Sequence, residues 1–314
     1  MGNEDRRHPP LPAPTGPGPG PVDLAARVDA FTADFFPSGH YTPPDQAQRR
    51  AVADGVLGVL DGRTGEAERA LARVGYRIAE FAEAVTGRRV AEIAAAADDT
   101  GGDATDATDG GTGDGRGWGR IYLDLSERPT WSVQVPHPAS DLRTEALGVE
   151  LFRAVPGGVL VLAGAHRRAG ADGRADVAHR RDTAFAAVVE ALTGRGLPGL
   201  QVHGFGAASL PGWDAVVSSG AGRPGPAAEL TAEGLGRAGL AVRRAWREPG
   251  VRLTGATNVA GRFAAGLGVP WLHVELVYGV RADPARRAAV AGVLAETVRS
   301  WEAGQQGRRR RSST

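Results

Sequence analysis

The chain first spaces its apolar residues at helical intervals and later at strand intervals. Leu24, Val28, Phe31 and Phe35 recur every three or four residues, the period of a helix with one buried face. The segment DQAQRRAVADGVLGVLDG continues the pattern. AERALARVGYRIAEFAEAVTGRRVAEIAAAA adds further amphipathic turns, so residues 23–97 are expected to form a helical N-terminal region. Residues 1–22, MGNEDRRHPPLPAPTGPGPGPV, are too rich in Pro and Gly to pack and are expected to be a disordered leader. Residues 98–116, DDTGGDATDATDGGTGDGR, are acidic and of low complexity and read as a linker or loop.

From residue 117 the texture changes. Short apolar runs alternate with helical stretches. The runs IYLDL (121–125), WSVQV (131–135), GVLVLA (158–163), GLQVH (199–203), AVVSS (215–219) and WLHVELV (271–277) are strand candidates. Asp141–Arg153, Asp182–Thr193, Ala227–Ala238 and Asp283–Trp301 are helix candidates between and after them. Such alternation predicts an α/β domain over 117–303, a three-layer α/β/α sandwich on a mixed, largely parallel sheet. The tail, 304–314, is polar and expected to be disordered; its four Arg, 308–311, read as solvated.

Bulk composition narrows the function classes. With 314 residues and 42% hydrophobic content, one sizeable core with a smaller appendage is expected. Net charge is +1, so no strong field points to nucleic acid. Every basic residue is Arg, which lowers the information in any single Arg. The absence of Cys excludes thiol catalysis, Cys-type zinc sites and disulfides. No apolar run approaches the about 18 residues of a membrane span. The first residues hold no hydrophobic signal segment, so the default expectation is cytoplasmic, with secretion left open to a misassigned start. Oligomeric state is not legible.

The histidines then change the picture. Five of the seven fall in the α/β part. His137 follows WSVQVP, His166 follows GVLVLAGA and His203 ends GLQVH, each at or just past the C-terminal end of a predicted strand. Ligands bind at that edge of open α/β sheets. A catalytic zinc takes three protein ligands and keeps one open position. His137 and His203, with one carboxylate from Asp141 or Glu145, meet that count for a single Zn2+ ion. Asp141 and Glu145 are i and i+4 on one helix face if the helix begins early; alternatively Asp141 is a helix N-cap with Glu145 an ordinary first-turn residue.

In WLHVELV, alternation puts Trp271, His273, Glu275 and Val277 on one face. A carboxylate inside so apolar a strand is costly unless partnered, and burial raises its pKa toward that of a general base. The alternative is an edge strand with a solvated Glu. Arg167, beside His166, suits a substrate carboxylate or a developing oxyanion. His166, Asp176 and His179 are candidates to orient the inner ligands, and Asn258 and Arg262 in TNVAGRF to hold a polar substrate or to lie in a plain loop. Asp182 reads as the cap of the following helix. GDGRGWGR does not open a helix after a strand, so it is no dinucleotide site, and neither a phosphate loop, a G-x-S-x-G elbow nor an HExxH helix occurs.

Across residues 117–300, RGWG, VPHPASDLRTE, LAGAHR, ADVAH, LQVHGF and HVEL follow in an order that resembles the zinc carboxypeptidase-like superfamily. The closer resemblance is to its divergent branch of N-formylglutamate and poly-γ-glutamate amidohydrolases. It implies an α/β/α sandwich with zinc at the strand ends, His137 with Asp141 or Glu145 and then His203 as ligands, and Glu275 as the base. The peptidases carry H-x-x-E, whereas here position 140 is Ser and the acids stand four and eight residues after His137. The resemblance implies a hydrolase of peptidyl, N-acyl-amino-acid or γ-glutamyl amide bonds, while Arg167 and Arg262 point to a small or peptide substrate that bears a carboxylate. The alternatives from the residues are a non-catalytic metal-binding or interaction module and a metal-dependent phosphoesterase.

Overall fold

The apolar runs pair into one nine-stranded sheet among the described residues. The computed structural model describes residues 20–96, 115–247, 250 and 252–311, with 304–311 described by backbone alone. The strands are β1 (Tyr76–Ala82), β2 (Arg89–Ala95), β3 (Arg120–Asp124), β4 (Trp131–Val135), β5 (Gly158–Leu162), β6 (Gly199–Phe205), β7 (Ala215–Ser218), β8 (Val242–Arg244) and β9 (Trp271–Val277), in the order β1-β2-β3-β5-β4-β6-β9-β7-β8. The central strands β5, β4, β6 and β9 run parallel, as do β7 and β8; the other pairings are antiparallel. The sheet is therefore mixed with a parallel centre.

Helices cover both faces. On one side lie α1 (Leu24–Thr32), α4 (Thr144–Ala154), α6 (Pro226–Arg237) and α9 (Pro284–Arg311), packed on Trp131, Val133, Leu200, Val202, Leu272 and Val274. On the other lie α2 (Gln46–Leu60), α3 (Thr64–Ala72), α5 (Ala184–Gly194) and α7 (Val259–Leu267), over Ile93, Ile121, Val159 and Val161. A short α8 (Tyr278–Ala282) links β9 to α9. This is the expected three-layer α/β/α sandwich with a helical N-terminal region. None of the described helices is long and apolar enough to cross a membrane.

Four sequence expectations change. The helical reading fails over 76–95, where β1 and β2 form an antiparallel hairpin on the same sheet. Its turn is fixed by Glu83, whose carboxylate accepts the Val85 and Thr86 N–H groups, and by Gly87 at φ 69°. The loop alternative for TNVAGRF fails because α7 begins at Val259, capped by Asn258. The backbone of the tail continues α9 to Arg311, beyond the expected end near Trp301. Of the leader, residues 1–19 lie outside the described residues, while Val22 bridges to Glu83. Most of the linker, 97–114, also lies outside them.

Candidate metal centre

Three parallel strands deliver the polar cluster to one sheet edge. β4 ends at Val135, and the chain turns sharply through His137 to Arg143 before α4. Asp141 N–H bonds back to the His137 carbonyl at 2.8 Å, and two non-glycine residues, Ala139 and Arg143, take left-handed backbone (φ 60° and 71°). The turn places the Asp141 Oδ2 atom 3.2 Å from His137 Nδ1, 3.2 Å from His203 Nδ1 and 3.2 Å from the Gly204 amide N–H that it accepts. All three side chains are buried. Asp141 is not the helix cap: that position is Arg143.

The far side of each imidazole is also held. His137 Nε2 lies 2.8 Å from Asp176 Oδ1. Asp176 gathers two more groups on Oδ2, Arg167 Nη2 at 2.8 Å and His179 Nδ1 at 3.1 Å. Burial pulls the His137 pKa down, but the flanking carboxylates outweigh it and the net shift is upward. Burial pushes Asp141 and Asp176 up, and bonds with His137 outweigh it, holding both carboxyls well below the usual range.

His203 depends on a chain of buried amides that sequence reasoning missed. Trp271 Nε1 donates to Gln134 Oε1 (3.2 Å), Gln201 Nε2 donates to the same oxygen (3.1 Å), and Gln201 Oε1 faces His203 Nε2 (2.8 Å). An indole N–H only donates, so it fixes the Gln134 oxygen and, through it, the orientation of Gln201. A second anchor agrees: Asn258 Oδ1 accepts the Ala260 amide, leaving its Nδ2 to donate to Gln201 Oε1. Two donors thus meet one acceptor, and His203 Nε2 must carry a hydrogen. Burial lowers the His203 pKa to about 4, so the ring is neutral at pH 7 and has one N–H only. Its Nδ1 is therefore a bare lone pair aimed at the Asp141 carboxylate. The sequence signal was present: a Gln inside WSVQV and another inside GLQVH, polar residues in buried strands.

That acceptor-to-acceptor contact suits a cation. His137, Asp141 and His203 offer ligand atoms within 4.8 Å of one another. Donors about 2.0–2.1 Å from a tetrahedral zinc lie about 3.3 Å apart, close to the 3.2 Å separations found. His203, His273 and Glu275 form a second, overlapping group within the same limit.

Glu275 enters from β9, directly paired with His203 on β6. β9 lies between β6 and β7, so the edge-strand alternative fails. Glu275 is 6% exposed; burial, helped by the charge of Asp141, pushes its carboxyl up to about 8. Its Oε2 and the neighbouring His273 Nδ1 have no hydrogen-bond partner among the described residues, and His273 Nε2 lies 3.9 Å from Glu275 Oε1. His273 packs on His203 with ring centroids 4.6 Å apart.

The other sequence candidates have partners of their own. Arg167 is partly exposed, with its amide N–H on Ser140 Oγ at 2.9 Å, which holds it beside the Asp141 turn. His166 Nδ1 accepts the Arg168 amide locally. Glu145, on the first turn of α4, accepts the Arg143 amide at 3.1 Å and stands outside both ligand groups. Arg262 donates to the Ala256 carbonyl at the surface. Asp182 is not a cap: Thr183 caps α5, and Asp182 pairs with Arg180.

No protein-family model and no curated protein matches the chain. Among solved structures, the chain is similar to a gene product of Agrobacterium tumefaciens (14% identity over 55% of this chain and 89% of that one, TM-score 0.39). It is similar also to the zinc-free form of YNDL (14% identity, 55% and 84%, TM-score 0.40). A third is a metallo-carboxypeptidase from Burkholderia cenocepacia (12% identity, 77% and 67%, TM-score 0.36).

Proposed function

We propose that the chain is a zinc-dependent hydrolase of amide bonds. The observation that carries the reading is the convergence of His137 Nδ1 and His203 Nδ1 on one Asp141 oxygen, each at 3.2 Å, while the far nitrogens of both rings are taken by Asp176 and Gln201. In this reading His137 Nδ1, Asp141 Oδ2 and His203 Nδ1 are the ligands, with Asp141 rather than Glu145 as the carboxylate. Asp176 and Gln201 hold the two rings from behind, as outer partners of metal-bound histidines do.

Zinc, when bound, polarises a carbonyl and lowers the pKa of water toward about 7. Glu275 is the general base: it accepts the proton of the attacking water and returns it to the leaving amine. Its environment keeps proton affinity near neutrality without a competing partner on Oε2. Arg167, steadied by Asp176, supplies a fixed positive charge for a substrate carboxylate or for the oxyanion. Peptidyl, N-acyl-amino-acid and γ-glutamyl amides are the substrate classes that fit.

Elemental analysis of the purified protein tests the metal, with one zinc per chain expected. Hydrolysis of N-acyl amino acids, peptides or poly-γ-glutamate that is lost on chelation and restored by zinc tests the reaction. Undiminished zinc in a His137→Ala, His203→Ala double variant overturns the site.

A further inference from the structure

We propose that Arg281 is a positioning residue of this centre, tying the Asp141-bearing turn to the ends of the His203 and Glu275 strands. The inference rests on the hydrolase reading for its purpose, but its geometry stands apart from it. Arg281 is 3% exposed and lies in α8, just beyond β9. Its guanidinium donates to three main-chain carbonyls on three elements. Nη1 reaches Leu142, the residue after Asp141; Nε reaches Leu276, the residue after Glu275, at 3.0 Å; Nη2 reaches Phe205, two residues past His203, at 3.4 Å.

A planar fork with fixed donor directions can hold three carbonyls in one relative arrangement, which a flexible ammonium cannot. The anchored turn needs such a hold. Ala139 and Arg143 flank Leu142 in left-handed backbone, a conformation that costs non-glycine residues free energy and persists only where the surroundings enforce it. Gly204 completes the arrangement. A Cβ at 204 would overlap the guanidinium, while the Gly204 amide donates to Asp141 Oδ2. Glycine at this one position lets the Arg lodge against β6 beside the ligand His203.

Arg281 also lacks a carboxylate within ion-pair distance among the described residues, although Asp141, Glu275 and Glu145 all lie near enough to act on it. Taking an unpaired charge out of water is expensive. A role limited to packing would be filled at lower cost by an apolar chain.

The test is zinc affinity of the full chain, measured by competition with a chromophoric chelator, together with amide hydrogen exchange without added metal. Arg281→Met and Gly204→Ala are each expected to weaken zinc binding about 10–100-fold, with Arg281→Lys intermediate. Arg88→Met is the control. Arg88 is another largely buried Arg, bonded to Asp124 and to the carbonyls of Phe152 and Arg153, at the N-terminal ends of the parallel strands. It is expected to lower Tm while leaving zinc affinity unchanged. Faster exchange at the Asp141 and Gly204 amides in Arg281→Lys and Gly204→Ala is the companion result. Wild-type affinity in the Arg281 variants, or an equal loss in Arg88→Met, overturns the proposal. Absence of zinc binding in the wild type overturns the hydrolase reading instead, and hydrogen exchange then decides whether Arg281 holds the turn.

Discussion

His203 and Glu275 are direct partners across the parallel β6–β9 pair, so imidazole and carboxyl rise side by side from one face of the sheet. Backbone pairing, not a loop, sets their spacing. A one-residue slip of β9 would turn Glu275 to the opposite face, where Leu272, Val274 and Leu276 now pack.

Glu275→Gln is expected to keep one zinc per chain and to lose hydrolysis about 10²–10⁴-fold, the usual size of a general-base contribution. The amide fills the same space but takes no proton. Steady-state rates beside metal content check this, and undiminished rates would remove Glu275 from the mechanism.

Glu275 also predicts how metal-free protein responds to pH. Its carboxyl titrates at 4.5 without the fold and at about 8 within it. Between those values the folded protein holds a proton that the unfolded chain releases. The contribution is fully present below pH 4.5 and is lost as pH rises through the window, by up to about 1.4 kcal/mol per pH unit. Buried His203 and His273, whose pKa values are lowered, add an opposing rise below about pH 6.5 in both proteins. Urea unfolding from pH 5 to 8 should therefore show the Glu275 contribution as a stability difference between wild type and Glu275→Gln that shifts against the wild type as pH rises. Parallel profiles would refute it.

The partners behind the imidazoles should govern metal affinity. Asp176→Asn and Gln201→Leu are each expected to weaken zinc binding about 10–100-fold. Gln201→Leu should also cost about 1–3 kcal/mol for each buried polar group left without its partner, with Asn258, Gln134 and His203 all bonded to it. Chelator competition and chemical denaturation separate the two effects.

Gly55→Ala tests packing away from the centre. Alanine in a helix interior ordinarily gains about 1 kcal/mol over glycine. Here a Cβ would overlap the buried Leu71 side chain of α3, and overpacking costs about 1–3 kcal/mol. A lower denaturation midpoint is expected; a higher one would show that α3 can shift.

The sequence exposed the central strands because both their faces are buried and their apolar runs are nearly continuous. It concealed β1 and β2 for a related reason. YRIAEFA and RVAEIAA are built of helix-favouring Ala, Glu and Arg, and β2 is buried on both faces, so no alternation survives. Glu92 is buried there only because Arg27 and Arg120 pair with it, and those partners come from distant segments. His137, His203 and Glu275 were legible as polar residues at the ends of apolar strands or within them. Gln134 and Gln201 carry the same signal but no charge, and a neutral amide inside a strand points to no particular chemistry. Arg281 was hidden among many Arg residues, since nothing local tells a buried guanidinium from a solvated one.

The Trp271 indole sits two strands away from Gln134, with β6 between them. It has one hydrogen to give and no lone pair to receive one, so it decides which side of His203 is bare. Tautomer choice is thereby inherited from strand assembly. Once β4, β6 and β9 zip together in register, His203 Nδ1 is already turned toward Asp141, and an ion held as proposed would find no conformational search left to perform. Errors of sheet assembly far from the centre would be felt there as a nitrogen protonated on the wrong side.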